Sequence, residues 1–129
     1  MPSNDDSNQL KILVIDDNKD VLKLVVRILT SAGHTVTSSL NSVDATQHLE
    51  GKDLLILDYN LPGENGLEAY ARFLSLGSIA PAIFITGYNV TEVEEALKPE
   101  WHATVLKKPF MSEDILQSIS SVQTLLRPS

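Results

Sequence analysis

The sequence ILVIDDNKD, residues 12–20, joins an almost wholly apolar run to adjacent acids. Four apolar residues, Ile12 to Ile15, lead directly into the carboxylates of Asp16 and Asp17. A short apolar run rich in β-branched residues predicts a strand buried on both faces, as in a parallel sheet. Because neighbouring carboxylates repel each other, and burial makes the repulsion worse, something positive is expected between them. The pattern therefore predicts a buried strand that ends at a charged site.

Further apolar strands alternate with amphipathic helices along the rest of the chain. The predicted strands are residues 10–15, 34–39, 53–58, 82–86 and 103–107. The predicted helices are residues 19–32, 42–50, 67–77, 90–98 and 112–126. This alternation predicts the α/β class, with a parallel sheet covered by helices on both faces. Five units favour a flavodoxin-like, doubly wound (βα)5 sheet in strand order 2-1-3-4-5 over a full dinucleotide-binding fold.

Two of these helices have clear apolar faces. In the first helix, which Gly33 is expected to end, the stripe consists of Val21, Leu24, Val25, Ile28 and Leu29. In the last helix, the buried face consists of Ile115, Ile119, Val122 and Leu126. Ser112 is the expected N-cap of that last helix. The whole pattern predicts one domain, residues 10–127, after a loose tail of residues 1–9.

The composition of the 129-residue chain fits one globular domain without covalent cross-links. Hydrophobic residues make up 43% of it, and the lack of cysteine excludes disulfides and thiolate metal sites. The net charge of −7 argues against unaided binding to nucleic acid or to an anionic membrane surface. No apolar run approaches the ~20 residues of a membrane span, and the acidic N-terminus predicts no signal peptide. We therefore expect a cytoplasmic protein.

Polar residues collect where the predicted strands end. In an open parallel sheet, ligands bind beyond the carboxyl ends of the strands, which lie along one edge. Three acids, a hydroxyl group and a lysine are therefore expected to meet there. They lie at the ends of the first, third, fourth and fifth strands and are Asp16, Asp17, Asp58, Thr86 and Lys108.

The three acids, Asp16, Asp17 and Asp58, form an all-oxygen ligand set. Magnesium prefers carboxylates, carbonyls and water, whereas zinc prefers the sulfur and imidazole ligands that no strand end offers here. In the alternative interpretation, the first two acids only cap the following helix and interact with its dipole. Asp17 can serve both purposes. The strand-end placement of all three acids favours Mg²⁺.

Four motifs in this order resemble the receiver domain of two-component response regulators, which is CheY-like. They are VIDDN (14–18), LILDYNLPGENGLE (55–68), FITGY (84–88) and KKPF (107–110). Each motif alone is weak, but together, at the right strand ends, they are specific. The resemblance covers the chain from about Leu10 to Leu126.

The resemblance implies a phosphorylation site and its metal. Asp58 is the implied phosphoacceptor, and Asp16 and Asp17 are implied to hold Mg²⁺, one of them partly through water. The backbone carbonyl of Asn60 is a further implied ligand. A carboxylate can act as nucleophile in this way and form an acyl phosphate. Catalysis of phosphoryl transfer is then mostly positioning and charge stabilisation by a metal and a cation.

The resemblance also assigns roles around the phosphoacceptor. Thr86 is implied to hydrogen-bond the phosphoryl oxygen, and Lys108 to pair with the phosphoacceptor or its phosphoryl group. The peptide bond between Lys108 and Pro109 is implied to be cis. Gly87 leaves access to the site, because a large side chain would crowd the phosphoryl group. Tyr88 lies at the mouth of the site, where we expect it to shield the phosphoryl group from water.

Val105 departs from the family pattern. Many receivers carry tyrosine or phenylalanine three positions before the lysine, and that ring swings inward on activation. Valine cannot reproduce this movement. We therefore expect signalling to run through backbone shifts of the fourth helix, fifth strand and fifth helix.

The implied function is a switch that catalyses only its own phosphorylation and dephosphorylation. A sensor histidine kinase or phosphotransfer protein is the implied donor, and the downstream protein partner is unknown. Since only three residues follow Leu126, we expect a single-domain regulator or a fragment of a longer regulator or hybrid kinase.

Two alternatives stay open at the sequence level. One is a degenerate receiver that binds partners without phosphorylation, for which Val105 is the only support. The other is a phosphatase of the haloacid-dehalogenase type. Such enzymes usually have an acid where Asn60 stands, and their paired acids come late in the chain, whereas Asp16 and Asp17 come first.

Overall fold

The computed structural model describes residues 9–126, which form one five-stranded sheet flanked by helices. The strands are β1 (Lys11–Ile15), β2 (Thr35–Ser39), β3 (Leu54–Asp58), β4 (Ala82–Thr86) and β5 (Ala103–Lys107). The helices are α1 (Lys19–Ser31), α2 (Ser42–Ala45), α3 (Gly66–Ser75), α4 (Val90–Ala96) and α5 (Ser112–Leu126). All strand pairs are parallel, in the order β2-β1-β3-β4-β5. The predicted class, topology and strand order are confirmed. The predicted tail, apart from Gln9, and Arg127 lie outside the described residues.

Side chains alternate across the sheet and build one hydrophobic layer on each face. In β1, Leu13 and Ile15 join the layer under α3 and α4, whereas Ile12 and Val14 join the layer under α1 and α5. The central strands β1, β3 and β4 are therefore buried on both sides, which explains their almost continuous apolar sequences. None of the helices within the described part of the chain is long and apolar enough to cross a membrane.

Helix α1 begins at the predicted residue, Lys19, and ends at Ser31, one residue before the predicted end. Its N-cap is Asn18, whose side chain accepts hydrogen bonds from the backbone N–H groups of Asp20 and Val21. The alternative role of Asp17 as the cap of this helix was therefore wrong. Gly33 follows the helix with φ +98°, a conformation that favours glycine, as expected at a helix end.

The buried face of α1 is rotated relative to the prediction. Leu22, Val25 and Leu29 are buried, whereas Leu24 is 45% exposed. Positions separated by three and four residues lie on one face of a helix, and residues 22, 25 and 29 satisfy that spacing. The predicted stripe therefore wrongly included Leu24 and omitted Leu22, whereas Val25 and Leu29 are buried as predicted.

Helices α2 and α4 are shorter than predicted. The predicted helix 42–50 changes at Thr46 into a 3-10 turn, Thr46–His48. The Thr46 hydroxyl donates to the carbonyl of Ser42, a local bond that competes with regular helix geometry. Helix α4 ends at Ala96, and Leu97 is already extended, because a proline at position 99 disfavours helical backbone just before it.

The start of α5 also differs in its cap. Ser112 is the first helical residue and not the N-cap. Asp114 has the stabilising contact, since its Oδ2 atom accepts a hydrogen bond of 2.7 Å from the backbone N–H of Met111. The Ser112 prediction was therefore wrong, because the side chain one turn further on reaches back to the free backbone donor.

Candidate functional site

Three carboxylates meet at the carboxyl edge of the sheet. Asp16 and Asp17 follow β1, and Asp58 ends the adjacent strand β3. One oxygen from each of the three lies within 4.8 Å of the others. Asp16 is 2% exposed and Asp58 6%, whereas Asp17 is open to solvent. Parallel pairing of β1 with β3 thus creates the cluster that the strand ends predict.

Lys108 brings a positive charge to this cluster from two strands away. Its Nζ atom lies 3.2 Å from Asp58 Oδ1 and 3.5 Å from Asp16 Oδ2. The Lys108 backbone N–H donates to the carbonyl of Thr86 at 2.8 Å, which anchors the residue beside β4. The Lys108–Pro109 peptide bond is cis, the geometry that the resemblance implies.

Burial dominates the electrostatics of these groups. Burial raises the pKa of Asp58, and the negative charge of Asp16 raises it further. Burial likewise raises the pKa of Asp16, against the hydrogen bond from Asn18 and the charge of Lys108. Burial alone would lower the pKa of Lys108, but the two carboxylates outweigh it and raise that pKa. The positive charge of Lys108 therefore does not fully offset the burial of the two carboxylates.

The donor set fits a hard divalent cation. Asp16 Oδ2 is buried and has no hydrogen-bond partner within residues 9–126; Lys108 Nζ, at 3.5 Å, is its nearest opposite charge. Oxygen atoms of Asp16, Asp17 and Asp58 lie close enough to share one ion. Magnesium prefers such oxygen ligands and keeps several waters, for which the exposed Asp17 leaves room.

The loop after β3, residues 59–65, carries Asn60 two residues after Asp58. The Tyr59 N–H donates to the Ile85 carbonyl at 2.8 Å, and the Gly66 N–H donates to the Tyr59 carbonyl at 2.7 Å. A Cβ atom on Gly66 would lie 2.7 Å from the backbone oxygen of Asp58. Glycine is therefore required where α3 begins, because the helix starts directly against the end of β3.

Three further predicted residues lie at the end of β4 and directly after it. Thr86 is fully buried, and its Oγ1 accepts a hydrogen bond of 3.1 Å from the Tyr88 N–H, which leaves the hydroxyl proton free to be donated. At Gly87 an added Cβ would meet only Lys108 Cβ, at 4.0 Å, so crowding there begins with side chains larger than alanine. Tyr88 is 69% exposed. Its shielding role stays a prediction.

Val105 lies half-buried on β5, opposite Phe84 on β4. Trp101, before β5, packs with its ring edge-on to Tyr70 at 5.1 Å and tilted to Phe84 at 6.4 Å. Position 105 itself holds valine, so the ring that many receivers carry there is lacking. Signalling through backbone shifts stays a prediction.

One polar cluster, which ties α3 and α2 to the loop after β3, was not predicted from the sequence. The guanidinium of Arg72 on α3 binds Glu64 of the loop after β3, and Glu64 also accepts a hydrogen bond from Ser42 on α2. Arg72 further donates to the hydroxyl of Thr46. These partners lie 8 to 30 residues apart in the chain, so no local pattern reveals them. Only folding brings them together.

Comparison with known proteins decides the family. A family model described as the response regulator receiver domain matches residues 12–120. The chain belongs to this family. Its match covers every residue of the carboxylate cluster, the buried threonine and the lysine, all of which lie between positions 16 and 108. The phosphatase alternative has no support from this match.

Curated relatives of this receiver domain differ greatly in length. The regulatory protein VirG of Agrobacterium fabrum is 35% identical over 121 residues, 92% of this chain and 47% of VirG. The response regulator receiver protein CpdR of Brucella abortus is 28% identical over 114 residues, 87% of this chain and 95% of CpdR. DctD of Rhizobium meliloti, a C4-dicarboxylate transport transcriptional regulatory protein, is 28% identical over 109 residues, and the chain spans 24% of it. The receiver domain thus spans about half or less of VirG and DctD.

Solved structures share the fold of the receiver domain. A two-component response regulator from Clostridium difficile superimposes with a TM-score of 0.81 at 21% identity, covering 93% of this chain and all of that chain. The chemotaxis response regulator CheY4 of Vibrio cholerae gives a TM-score of 0.76 at 24% identity, covering 89% and 99%. At such identities the likeness shows the fold alone.

Proposed function

We propose that this receiver domain accepts a phosphoryl group on Asp58 in a Mg²⁺-dependent reaction and thereby switches a protein-binding surface. The observation that carries the proposal is the juxtaposition of three carboxylates within 4.8 Å with the Lys108 ammonium 3.2 Å from Asp58. A buried carboxylate oxygen that accepts no hydrogen bond within residues 9–126 favours a cation. A cation beside a carboxylate nucleophile stabilises a transferring phosphoryl group.

Asp58 is the best-placed nucleophile of the three acids. It ends the central strand β3, and its Oδ1 contacts Lys108 directly. A carboxylate oxygen attacks the phosphorus and an O–P bond forms. With a phosphohistidine donor the P–N bond breaks, and its electron pair returns to the imidazole. Sensor histidine kinases and phosphotransfer proteins carry that donor and are the proposed partners.

The surrounding residues have separate roles in the proposed reaction. Asp16, Asp17, Asp58 and the backbone carbonyl of Asn60 would hold Mg²⁺. When bound, Mg²⁺ supplies positive charge to the phosphoryl oxygens. The Thr86 hydroxyl has its proton free for a phosphoryl oxygen.

Further groups act around the phosphoryl oxygens. Lys108 balances charge on the other side, and Gly87 leaves space at the entrance. Tyr88 is proposed to limit the access of water to the acyl phosphate. The domain catalyses its own phosphorylation and dephosphorylation, and no other substrate is proposed.

The output of the switch is proposed to be contact with another protein. Phosphorylation biases an equilibrium between two surface conformations, and a partner that prefers one of them responds. The partner is not identified, and direct contact of this acidic domain with nucleic acid or membrane is not proposed. The cytoplasmic location expected from the sequence stays a prediction.

Phosphorylation by a small donor tests the proposal directly. The protein is incubated with Mg²⁺ and acetyl phosphate, and its intact mass is measured. We expect one added phosphoryl group in the wild type and in Asp20→Asn, a matched change at an exposed acid on α1, and none in Asp58→Asn or with EDTA. No adduct from acetyl phosphate, and no binding of beryllofluoride while Mg²⁺ binds, would contradict the proposal and favour a phosphorylation-independent binding module.

A further inference from the structure

Arg72 forms a polar cluster that the proposed phosphorylation chemistry does not use. We define the Arg72 cluster as Arg72 of α3, Glu64 of the loop after β3, Ser42 of α2, and Thr46. A single oxygen, Glu64 Oε1, accepts from Arg72 Nη2 at 2.7 Å, from Arg72 Nε at 3.2 Å and from Ser42 Oγ at 2.7 Å. Three separate segments of the chain are thus tied to one carboxylate oxygen.

The other donors of Arg72 extend the cluster along α2. Its Nη1 donates to Thr46 Oγ1 at 3.0 Å, and its Nη2 donates to the Ser42 carbonyl at 3.3 Å. The hydrogen bonds from Arg72 hold the pKa of Glu64 below its ordinary value, so the carboxylate stays ionised. Bonds of this kind, between charged groups with several donors, define geometry more strongly than neutral bonds.

The loop that Glu64 belongs to has few other anchors. Its ends are held by the Tyr59 and Gly66 backbone bonds and by the Asn65–Glu68 capping box. Within residues 9–126, the backbone groups of positions 60–64 make no hydrogen bond. Between the two ends, buried Leu61 and the side chain of Glu64 are what attach the loop to the rest of the domain.

We infer that Arg72, acting through Glu64 and Ser42, is a positioning residue for the metal site. The cluster holds the loop of residues 59–65 and with it the Asn60 carbonyl, which is proposed to bind Mg²⁺. This inference rests on the proposed function, since it concerns the same metal. Groups beyond the direct ligands commonly set metal affinity in this way by fixing where the ligands lie.

Charge and positioning make opposite predictions for Arg72→Ala. Arg72→Ala removes a positive charge that repels Mg²⁺. By electrostatics alone, Mg²⁺ should therefore bind equally well or more tightly. Loss of the positioning contact should weaken binding instead, on the order of tenfold. If the cluster only stabilised the fold, Arg72→Ala would lower the melting temperature and leave the Mg²⁺ affinity of the folded protein unchanged.

The test is Mg²⁺ titration by calorimetry of folded wild type, Arg72→Ala, Ser42→Ala, and the double variant Glu64→Ala/Arg72→Ala. Circular dichroism and a melting curve establish that each variant is folded at the titration temperature. Arg27→Ala is the matched control, because Arg27 is an exposed arginine on α1 and the change in net charge is the same. Ser42→Ala removes one donor to Glu64 without any change in charge.

We expect weaker Mg²⁺ binding in Arg72→Ala, a smaller loss in Ser42→Ala, and wild-type or tighter binding in Arg27→Ala. Because Arg72 and Glu64 act as one unit, the double variant should bind about as weakly as Arg72→Ala. Wild-type or tighter binding in Arg72→Ala would overturn the inference. If the wild type itself fails to bind Mg²⁺, the proposed function fails first, and the two failures are thereby distinguished.

Discussion

At the scale of the residue, the buried acids weaken the fold that carries them. The pKa of Asp58 is raised from its ordinary value of 3.8 by burial and then by the charge of Asp16. A carboxyl group whose pKa rises on folding favours the folded state below its ordinary pKa. That stability is lost as pH rises through the folded-state pKa. At neutral pH without Mg²⁺, ionised Asp58 is therefore destabilising.

Asp58→Asn should accordingly stabilise the metal-free protein at pH 7. The neutral amide removes the buried charge, and Lys108 keeps Asp16 as its partner at 3.5 Å. We expect the free energy of unfolding to increase on the order of 1 kcal/mol, as measured by urea denaturation with EDTA. The gain should shrink as pH falls towards 4, and Asp20→Asn should show no comparable gain. Equal stability of wild type and Asp58→Asn at pH 7 would contradict the prediction that ionised Asp58 is destabilising.

At the scale of the element, the contact between β3 and α3 sets how closely the loop follows the cluster. Asn65 caps α3 and exchanges hydrogen bonds with Glu68, so the first turn of the helix is well defined. Gly66, the next residue, lies directly against the backbone at the end of β3. Capping and close approach together fix the end of the loop where it joins α3.

Gly66→Ala should disturb this contact, whereas Gly87→Ala should be tolerated. The new Cβ at position 66 would lie 2.7 Å from the Asp58 carbonyl oxygen. Because that oxygen belongs to the backbone, the clash is relieved only if α3 moves away from β3. At position 87 the nearest atom is 4.0 Å away. We expect a loss of roughly 1–3 kcal/mol for the first change and within about 0.5 kcal/mol for the second, measured by urea denaturation. Similar losses in both variants would refute the steric argument.

At the scale of the whole molecule, Mg²⁺ should stabilise the domain, because the three acids come together only in the folded chain. A ligand of the folded state at tenfold its Kd adds about 1.4 kcal/mol to the free energy of unfolding. For a domain of this size that shift raises Tm by a few degrees. Thermal unfolding followed by circular dichroism measures it. The rise should largely disappear in Asp58→Asn, and a constant Tm across millimolar Mg²⁺ would count against the metal site.

Activation should reach the surface formed by α4, β5 and the start of α5. Thr86 and Lys108 lie at the end of β4 and just after β5, so a phosphoryl group that attracts both would pull on these elements. With Val105 in place of an aromatic ring, we expect the shift to travel through the backbone. Amide NMR spectra with beryllofluoride and Mg²⁺ should change over residues 88–112, and spectra of Asp58→Asn should not. Unchanged amides in the wild type would exclude this route.

Most of the fold and the central part of the site could be predicted from the sequence. Strands and helices follow local periodicity, and β4, β5 and α5 have the predicted bounds. Parallel strands bring their carboxyl ends to one edge, so adjacent strands had to bring Asp16, Asp17 and Asp58 together. The error at Leu24 arose because the exact buried face depends on neighbours in space. The error at Ser112 was local, since the hydrogen bond from the Met111 N–H to Asp114 spans only three residues.

By itself, the sequence determined the five βα units, the acids at the strand ends and the family, since these depend on short patterns of apolar and polar residues. Only the tertiary structure decided the Arg72 cluster, the close packing at Gly66 and the burial of an Asp16 oxygen that accepts no hydrogen bond from the described part of the chain. Each involves partners that folding brings together across sheet, loop and helix, and their side chains could make many other contacts in the unfolded chain. The spacing of residues along the chain does not predict such contacts, because they form only when the packed elements limit which atoms can meet.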